Sequence, residues 1–497
     1  MNRESRAGSS TDPAALELEG RILRNTGWVA LGLGVRQIGT LLAIFVLARL
    51  LEPEDFGLVA LSLTVLLYVE QIQETGVGQA LIYRRRDIRV AAASALAFTV
   101  LMSVVLYLAV FALAPLAAAF LRAPELTDIL RVMALVLVFR GLGVVPGAIL
   151  EREHDFRSRT IGELVAGLTQ IAVFLGLAFA GAGVWSLAFG HLAGGAVLAA
   201  AYWLLVPWRP SPRLASRRIL NELIRYGRFI GASNILSVAS NTVDNIVVGR
   251  VLGTAAVGLY SVSYRLADFP NSVIGHIVGR PMFTVYSTLQ DDLDSVRHAY
   301  VRNLQRVALF AVPVSVGLAV AAEPIVLALL GDKWLDAVPA LRVLAIYALI
   351  KSFGATSIEA LKGIGVPQWS LLFGLIYLAV VVPALVLLTR EFELTGAAVS
   401  MLLAIAAAAL PAAVVVGRKL QLSARDVARS LAPCLLCSAL LAGTLLALLP
   451  QIEDMSPAPA LALLVAVGLG VYVAATALFA RGIVVPIWLS LRSGRKP

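Results

Sequence analysis

The chain has 497 residues, of which 59% are hydrophobic and only 14% are charged, and its mean hydropathy is +0.86. Soluble domains carry roughly 25% charged residues, so this composition excludes an ordinary soluble globular protein. Apolar runs of 18 or more residues recur along the whole chain, and about 20 apolar residues cross the hydrocarbon core of a bilayer as one helix. The sequence therefore predicts an all-α, polytopic membrane protein.

Fourteen apolar runs are long enough to be membrane spans. The 26 residues before the first run are polar and lack the apolar core and cleavage site of a signal peptide, so the first span is expected to act as the insertion signal. The predicted spans are 27–50, 56–82, 90–120, 125–150, 161–181, 184–206, 227–251, 256–285, 303–330, 336–361, 367–389, 394–416, 427–449 and 458–480.

Lysine and arginine are distributed unevenly among the connections between these spans. If the N-terminus is cytoplasmic, the cytoplasmic segments hold 27 of these residues and the outer connections hold three, Arg122, Lys333 and Arg390. Because positively charged connections remain in the cytoplasm, both termini are expected to be cytoplasmic. The net charge of +10 then follows from topology, and no nucleic-acid partner is needed to explain it.

An internal repeat is visible in residues 49–58, RLLEPEDFGL, and residues 250–259, RVLGTAAVGL, which share one skeleton at an interval of 201 residues. Such a repeat predicts a duplicated structural unit. Six spans separate the copies, and an even number means that both copies run in the same direction across the membrane. The sequence therefore predicts two parallel six-helix lobes followed by two extra helices. The same interval aligns Trp28 with Phe229, Ser62 with Ser263, and Gly78 with Gly279.

The repeat and the charge pattern together set the predicted domain boundaries. These are a cytoplasmic N-terminal tail at 1–26, an N-lobe at 27–206, a basic cytoplasmic linker at 207–226, a C-lobe at 227–417, two further spans within 418–482, and a cytoplasmic C-terminal tail at 483–497.

Polar and charged side chains inside the predicted spans lie at helical spacing. A charged side chain at the bilayer centre costs roughly 2.5–3.5 kcal/mol on insertion scales, so such residues are expected to face a bundle interior or a water-filled cavity. The stripes comprise Glu70 and Glu74 in the second span, Asn234, Ser237, Asn241 and Asp244 in the seventh, and Ser261, Arg265, Asp268 and Ser272 in the eighth. The first two helices of each lobe are therefore the best candidates for cavity lining.

A purely structural role for these charges stays open. Arg265 with Asp268, or Glu70 with an arginine of another helix, would then form buried ion pairs that only fix helix packing. In the same interpretation Asp244 pairs with Arg265 or Arg250 across its hairpin.

Four stretches of the chain carry a family resemblance. They are LARLLEPEDFGLVAL, ETGVGQALI, SNTVDNIVVGRVLGTAAVGLYSVSYRLADFP and the downstream LQDD. In these stretches the chain resembles the polysaccharide transporters, Wzx-type lipid-linked oligosaccharide flippases, of the multidrug/oligosaccharidyl-lipid/polysaccharide (MOP) superfamily. The similarity covers about residues 20 to 480.

The resemblance implies a function. Such proteins move undecaprenyl-pyrophosphate-linked oligosaccharides across the bacterial inner membrane by alternating access, for lipopolysaccharide or exopolysaccharide biosynthesis. They bind a lipid-linked substrate among membrane lipids, work beside polysaccharide polymerases and ligases, and in many cases couple to a proton or sodium gradient. The resemblance places Glu74 and Asp244 on polar family positions.

Two groups of candidate site residues follow. Arginine grips phosphate oxygens bidentately and lysine acts as a point charge, which suits a pyrophosphate. A carboxylate in a poorly solvated site favours its neutral form and can carry a proton, and with asparagine oxygens it can hold sodium. The cavity candidates are Arg36, Gln37, Arg140, Asn234, Asn241, Arg265 and Lys351; the ion-coupling candidates are Asp244, the first choice, then Glu74, Glu70 and Asp268.

No resident cofactor is expected besides the coupling ion. Cys434 and Cys437 form a C-x-x-C pair inside an apolar run, with no nearby histidine or acidic residue to complete a metal site. Two rival functions remain. A drug exporter of the same superfamily would usually have twelve spans and a less cationic cavity. An enzyme of polysaccharide assembly would need catalytic residues outside, where the longest connection has about eight residues.

Overall fold

The computed structural model of the chain describes a large part of it as helix. The described residues are 32, 34–73, 76–84, 86–153, 155–209, 214–274 and 280–485, with the backbone alone described at 226–237, 239–241, 273, 274, 280 and 281. All the regular elements in these ranges are α- or 3-10 helices, which confirms the all-α fold class.

The described residues form seventeen α-helices, a short helical stretch at 481–485, and 3-10 turns at Asp332–Ala337, before α14, and at Leu449–Gln451, after α16. The seventeen α-helices are α1 (34–50), α2 (Pro53–Gln73), α3 (Val77–Tyr83), α4 (Ile88–Leu121), α5 (Leu126–Met133), α6 (Leu135–Arg152), α7 (Phe156–Phe179), α8 (Val184–Leu205), α9 (Arg217–Leu252), α10 (Thr254–Ile274), α11 (Arg280–Thr288), α12 (Leu293–Val320), α13 (Ala322–Leu329), α14 (Val338–Gly363), α15 (Gln368–Lys419), α16 (Ala424–Leu448) and α17 (Pro457–Phe479).

Ten segments of the described chain are long and apolar enough to cross a membrane. One of them, α15, has non-helical backbone at Phe392 and Glu393 and so consists of two arms, which correspond to the predicted eleventh and twelfth spans. The ten do not include α1, α9 or α10, the predicted first, seventh and eighth spans. A polytopic membrane protein is confirmed, whereas the exact number of fourteen spans stays a prediction.

The predicted second span is two helices rather than one. Helix α2 ends at Gln73, and α3 begins after Gly76, whose φ of 67° turns the chain in the left-handed region that glycine tolerates best. In the predicted eighth span the described elements are α10 and α11, which lie before and after residues 275–279.

The predicted linker at 207–226 is partly helical. Helix α9 begins at Arg217 and runs without interruption into the predicted seventh span. The sequence reading missed this because it weighed the basic residues alone. Leu223 is buried in an apolar cluster with Val206, and Ile219, one turn earlier, packs against the same cluster, so an amphipathic face holds this segment as a helix.

The described residues fall into two compact units. Unit 1 comprises those within Met1–Leu50, Val65–Pro115 and Thr127–Leu236, and unit 2 those within Leu51–Thr64, Leu116–Leu126 and Ser237–Pro497. In unit 1, α8 packs against α6 and α7; in unit 2, α12 packs against α14 and α16. The predicted lobe boundaries stay a prediction.

The two copies of the repeat meet within unit 2, where the start of α2 crosses the start of α10. A methyl carbon added at Gly57 would lie 1.8 Å from the carbonyl oxygen of Thr254, and one added at Gly258 would lie 1.7 Å from that of Pro53. Pro53 and Thr254 are themselves 201 residues apart, so the contact is reciprocal. Only glycine permits this approach of the two backbones.

The serines of the repeat also adopt the same local structure. Ser62 Oγ donates to the carbonyl oxygen of Leu58 at 2.9 Å, and Ser263 Oγ donates to that of Leu259 at 2.8 Å. Both serines are buried. In each bond the donor and the acceptor are one helical turn apart. Ser263 and Leu259 follow Ser62 and Leu58 by 201 residues each, so the repeat extends to side-chain hydrogen bonds.

Prolines inside the helices create a further recurring contact. A helical proline has no N–H for the carbonyl four residues earlier, and in a membrane that carbonyl needs another donor. At Pro115, Pro146 and Pro313 a side chain from another helix donates instead. The three bonds are Arg131 Nε to Phe111 O at 3.2 Å, Trp203 Nε1 to Leu142 O at 3.0 Å, and Tyr472 OH to Leu309 O at 2.6 Å.

Candidate functional site

The first candidate cluster lies in unit 1, between α2 and α6. Arg140 Nη1 donates to Glu70 Oε2 at 2.5 Å, and the Glu70 side chain is 8% exposed while that of Arg140 is 47% exposed. One turn along each helix, Gln73 Nε2 donates to the carbonyl oxygen of Leu137 at 3.0 Å. These two contacts hold the helices in register. A cavity candidate and an ion-coupling candidate are thus bound to each other.

The second cluster of unit 1 centres on Glu163 of α7. Arg36 of α1 lies at the edge of ion-pair distance, with Nη1 3.9 Å from Glu163 Oε2. Arg159 Nε donates to the same carboxylate at 3.2 Å, and the Tyr202 hydroxyl donates to it at 3.4 Å. The Arg36 side chain remains 45% exposed, and the neighbouring Gln37 is exposed as well. Glu163, Arg159 and Tyr202 were not among the predicted site residues.

The third cluster, in unit 2, is built around Asp244 of α9. Asp244 is 3% exposed, and its carboxylate accepts the Tyr260 hydroxyl at 2.9 Å and the Asn245 backbone N–H at 2.9 Å. Neither Arg250 nor Arg265 forms an ion pair with Asp244 in the part of the chain that the structure describes. The structural alternative, in which an arginine pairs with Asp244, is thus not seen among the described residues, and a tyrosine is the side-chain partner instead.

Asp268 and Lys351 form a pair between α10 and α14. Lys351 Nζ lies 3.0 Å from Asp268 Oδ1 and donates at the same distance to the Tyr264 hydroxyl. Its ammonium group also lies 5.4 Å and 5.6 Å from the ring centroids of Tyr264 and Tyr347, within the range of a cation–π contact. Asn271 Nδ2 donates to the same oxygen of Asp268 at 3.1 Å. Asp268 thus has a lysine partner where an arginine was the structural alternative.

The tyrosines around these carboxylates were missed by the sequence reading. Tyr260, Tyr264 and Asp268 are spaced by four residues, which puts them on one face of α10. Tyr264 and Tyr347 bring their hydroxyls to 3.4 Å. A phenol in an apolar span needs a hydrogen-bond partner, so tyrosines at helical spacing from an intramembrane carboxylate were the signal that pointed to this cluster.

The remaining candidates stay apart from these clusters or outside the description. Arg265 is exposed, and among the described residues no carboxylate lies within 4.0 Å of it. Asn234 and Asn241 lie on α9, and their side chains fall outside the described part. Glu74 also lies outside the described residues.

A model of the family described as "Polysaccharide biosynthesis protein" matches residues 46–339 of this chain. The match covers more than half of the sequence and includes both copies of the repeat. The chain belongs to this family. The family prediction made from the repeat and its flanking stretches is thereby confirmed.

Similar proteins within the family are named for polysaccharide assembly. The chain is 28% identical over 356 residues to the succinoglycan biosynthesis transport protein ExoT of Rhizobium meliloti (strain 1021), covering 71% of each chain. It is 26% identical over 335 residues to the lipopolysaccharide biosynthesis protein WzxC of Escherichia coli (strain K12), covering 66% of this chain and 65% of that protein.

Solved structures of the superfamily share the fold. The Lipid II flippase MurJ, in an inward closed conformation, matches with a TM-score of 0.74 and 13% identity, covering 91% of this chain and 99% of MurJ. An inward-facing multidrug resistance MATE family transporter of the MOP superfamily matches with a TM-score of 0.62 and 18% identity, covering 78% and 96%. At these identities the likeness concerns the fold alone.

Proposed function

We propose that this protein is a flippase that moves polyprenyl-pyrophosphate-linked oligosaccharides across the bacterial inner membrane for lipopolysaccharide or exopolysaccharide assembly. The observation that carries the proposal is the family match over residues 46–339. Relatives named as a transport protein for succinoglycan and as a probable flippase support it. The shared fold with a protein named as a lipid flippase fits the same class of substrate.

The anionic headgroup of such a substrate needs cationic groups that are reachable from outside the protein. Arg36 and Arg140 meet this need, because their side chains are 45% and 47% exposed. A guanidinium has five N–H donors, and Arg140 is bound to Glu70 through Nη1, which leaves donors for a phosphate. Within unit 1 we assign Arg36 and Arg140 to pyrophosphate binding, with Glu70 orienting Arg140. The exposed Arg265 is the separate candidate of unit 2 for the same role.

Lys351 takes a different role in this proposal. Its ammonium group is bound to Asp268 and Tyr264, and its side chain is only 22% exposed. It therefore neutralises Asp268 inside unit 2 and does not contact the substrate. Removing one partner of a largely buried ion pair is strongly destabilising, which gives Lys351 a structural reason to be there.

The contact between the repeats supports alternating access. Gly57 and Gly258 lie beside two short connections that are expected outside from the charge asymmetry. Thr254 Oγ1 donates to Glu54 at 2.9 Å and joins these two connections. Lys333 Nζ, in a third outer connection, lies 2.6 Å from Glu52 Oε1. We propose that this closed contact is one end state of the cycle and that it parts in the other. The polar bonds on its rim are weak enough to break reversibly.

Asp244 is the proposed coupling group. It is buried within a candidate cavity-lining helix, and its ligands in the described structure are hydrogen-bond donors rather than a cation. A buried carboxylate that is held by hydrogen bonds and forms no ion pair among the described residues is a group whose proton or sodium occupancy can change during a transport cycle. We propose that such a change at Asp244 drives the cycle.

The test of the function is the fate of the lipid-linked intermediate in the bacterium that makes the polysaccharide. Deletion of the gene should abolish surface polysaccharide and cause lipid-linked oligosaccharide to accumulate, as measured by mass spectrometry of lipid extracts. Normal surface polysaccharide in the deletion strain, or a loss of drug tolerance as its only phenotype, would overturn the flippase assignment.

The coupling role is tested with a matched pair of substitutions. Asp244→Asn keeps the size of the side chain and removes the titratable group, whereas Tyr260→Phe removes one hydrogen bond and keeps the carboxylate. Coupling predicts that Asp244→Asn abolishes export with normal amounts of protein in the membrane and that Tyr260→Phe retains part of it. Equal losses of export and of thermal stability in both variants would make Asp244 a structural residue.

A further inference from the structure

A strongly basic surface lies in unit 1, where the α3–α4 connection meets the start of α9. Among the described residues it presents six exposed arginines and the partly exposed Arg84. With the carboxylates Asp87 and Glu222 this leaves a net charge of +5. The exposed arginines of this surface, called the basic platform below, are Arg86, Arg89, Arg209, Arg217, Arg218 and Arg225.

The platform is held rigidly on the body of unit 1. Arg84 Nη1 donates to Glu222 Oε2 at 2.8 Å, which ties the α3–α4 connection to α9. The Ser216 backbone N–H donates to Ser94 Oγ of α4 at 2.8 Å. Beneath these contacts, Leu223 is buried in an apolar cluster to which α3, α4 and α6 also contribute. The arginines therefore project from a fixed support and not from a loose tail.

The acidic groups of the platform do not neutralise its arginines. Glu222 lies 2.8 Å from Arg84 and 3.6 Å from Arg218, and the hydrogen bond from Arg84 holds the pKa of Glu222 below its usual value. Among the described residues no carboxylate lies within 4.0 Å of Arg86, Arg217 or Arg225. Several guanidinium groups thus point to solvent with their charge uncompensated.

The platform also lies at the depth of lipid headgroups. It adjoins the ends of two candidate membrane spans, Ile88–Leu121 and Val184–Leu205. Trp203 and Trp208 stack beside it with ring centroids 6.0 Å apart, and Leu204 is 81% exposed. Tryptophan is enriched at the membrane interface, so these residues mark the level at which hydrocarbon gives way to headgroups.

We propose that the basic platform binds the headgroups of anionic phospholipids. Arginine matches the geometry of a phosphodiester through paired N–H donors, and clusters of four to eight basic residues next to a span attract anionic lipids. Each arginine is expected to contribute about fivefold to the affinity for an anionic surface. The platform is distinct from Arg36 and Arg140, so the proposal stands independently of the transported substrate.

The experiment measures lipid binding by the full-length protein in neutral detergent micelles. Short-chain phosphatidylglycerol, short-chain phosphatidylcholine and inorganic phosphate are titrated separately at low and high salt, and binding is followed by thermal stabilisation. The platform variant is Arg86→Gln with Arg217→Gln and Arg225→Gln. The charge-matched control replaces Arg122, Arg342 and Arg390, at the predicted outer ends of spans, by Gln.

Phosphatidylglycerol should stabilise the unmodified protein more than phosphatidylcholine or phosphate does, and less at high salt. The platform variant should bind phosphatidylglycerol at least tenfold more weakly, and the control should bind within twofold of the unmodified protein. A Lys triple variant at the same three platform positions, which keeps the charge, should retain most of the binding.

Three results would overturn the proposal. They are unchanged binding by the platform variant, an equal loss in the control variant, and stabilisation by phosphate as strong as that by phosphatidylglycerol. The melting temperature of each variant in phosphatidylcholine alone checks its folding. If the triple Gln variant is unstable, the three single Gln variants decide the matter, because each should bind phosphatidylglycerol about fivefold more weakly.

Discussion

Replacing Gly258 by alanine probes the reciprocal contact between the two copies of the repeat. The added methyl carbon would lie 1.7 Å from the Pro53 carbonyl oxygen and 3.1 Å from the Gly57 nitrogen. These are backbone atoms within or beside the first turn of α2, so no side chain can rotate away to make room. The starts of α2 and α10 must therefore separate by more than an ångström to accommodate the methyl group.

The size of the effect follows from the cost of overpacking. Forcing one methyl group into a close-packed contact typically costs about 1–3 kcal/mol. If the contact forms in one end state of a transport cycle and opens in the other, that cost shifts the equilibrium towards the open state by about 5- to 150-fold. Transport should slow, because the closed state becomes the rare one.

The assay uses the outer connections as reporters. Cysteines replace Glu52 and Lys333, whose side chains meet in the structure, in a background where Cys434 and Cys437 are alanine. The yield with a short bismaleimide cross-linker reports the closed state. Gly258→Ala should lower the yield and the rate of polysaccharide export. Gly317→Ala is the matched control, since a methyl group there meets nothing within 4 Å.

The symmetry of the contact allows a stricter test, in which both glycines are replaced. Gly57→Ala should act like Gly258→Ala, because its methyl carbon would lie 1.8 Å from the Thr254 carbonyl oxygen. Once one alanine has separated the helices, the second has more room, so the double variant should lose less than the sum of the two single losses. Wild-type cross-linking by a folded Gly258→Ala protein, or strict additivity of the two changes, would refute the reciprocal contact.

Three further predictions concern other contacts. Tyr472→Phe should destabilise the protein by about 0.6–1.7 kcal/mol, as measured for hydrogen bonds between membrane helices, because the Leu309 carbonyl, four residues before Pro313, loses its donor. In a Pro313→Ala background the backbone N–H of residue 313 can donate to that carbonyl. Thermal unfolding should then show a smaller loss of stability from Tyr472→Phe. Lys333→Glu should weaken closure of the outer connections by less than about 1 kcal/mol, as expected of an exposed pair, and the double exchange Glu52→Lys with Lys333→Glu should restore the export rate. The hydrogen bond from Arg84 lowers the pKa of Glu222 in the folded protein. The bond therefore contributes stability at pH values above the ordinary glutamate pKa of about 4.3, and this contribution is lost as the pH falls through the pKa of Glu222 in the folded protein. Hydrogen exchange at the start of α9 should rise in that pH range, and Glu222→Gln should remove this pH dependence.

The sequence predicted the repeat and the helical architecture because both rest on patterns within single segments. Gly57 and Gly258 are matched positions of the two copies in the sequence. The structure shows why both are glycine, since each admits a carbonyl of the other copy. Two matched positions do not reveal that they touch each other, because contacts between distant segments depend on packing that no local pattern encodes.

For the candidate site, too, the sequence predicted individual residues better than the contacts between them. Intramembrane charges stand out in an apolar span because lipid cannot solvate them, so Asp244, Asp268 and Arg140 were identified readily. Their partners were identified poorly. Arginine was the partner of Asp244 only in the structural alternative, and the partner that the structure supplies, Tyr260, was not considered. A phenol also satisfies a carboxylate but attracts little notice in an apolar sequence.

The partners sort the intramembrane cations into those that serve the fold and those that remain open to a ligand. Arg131 donates to the Phe111 carbonyl that Pro115 leaves without a backbone donor, so it satisfies this acceptor inside the span. Arg152 donates to the carbonyls of Leu81 and Ile82 at 3.0 Å and 2.9 Å and thereby caps α3.

Lys351 is bound to Asp268 and belongs with the cations that serve the fold. Arg140 also pairs with a buried carboxylate, Glu70, but its side chain stays 47% exposed. Arg36 and Arg265 likewise keep much of their side chains exposed. Each cation in the apolar spans requires compensation. The cations whose charge the protein compensates only in part are therefore the ones suited to bind the phosphates of a transported lipid.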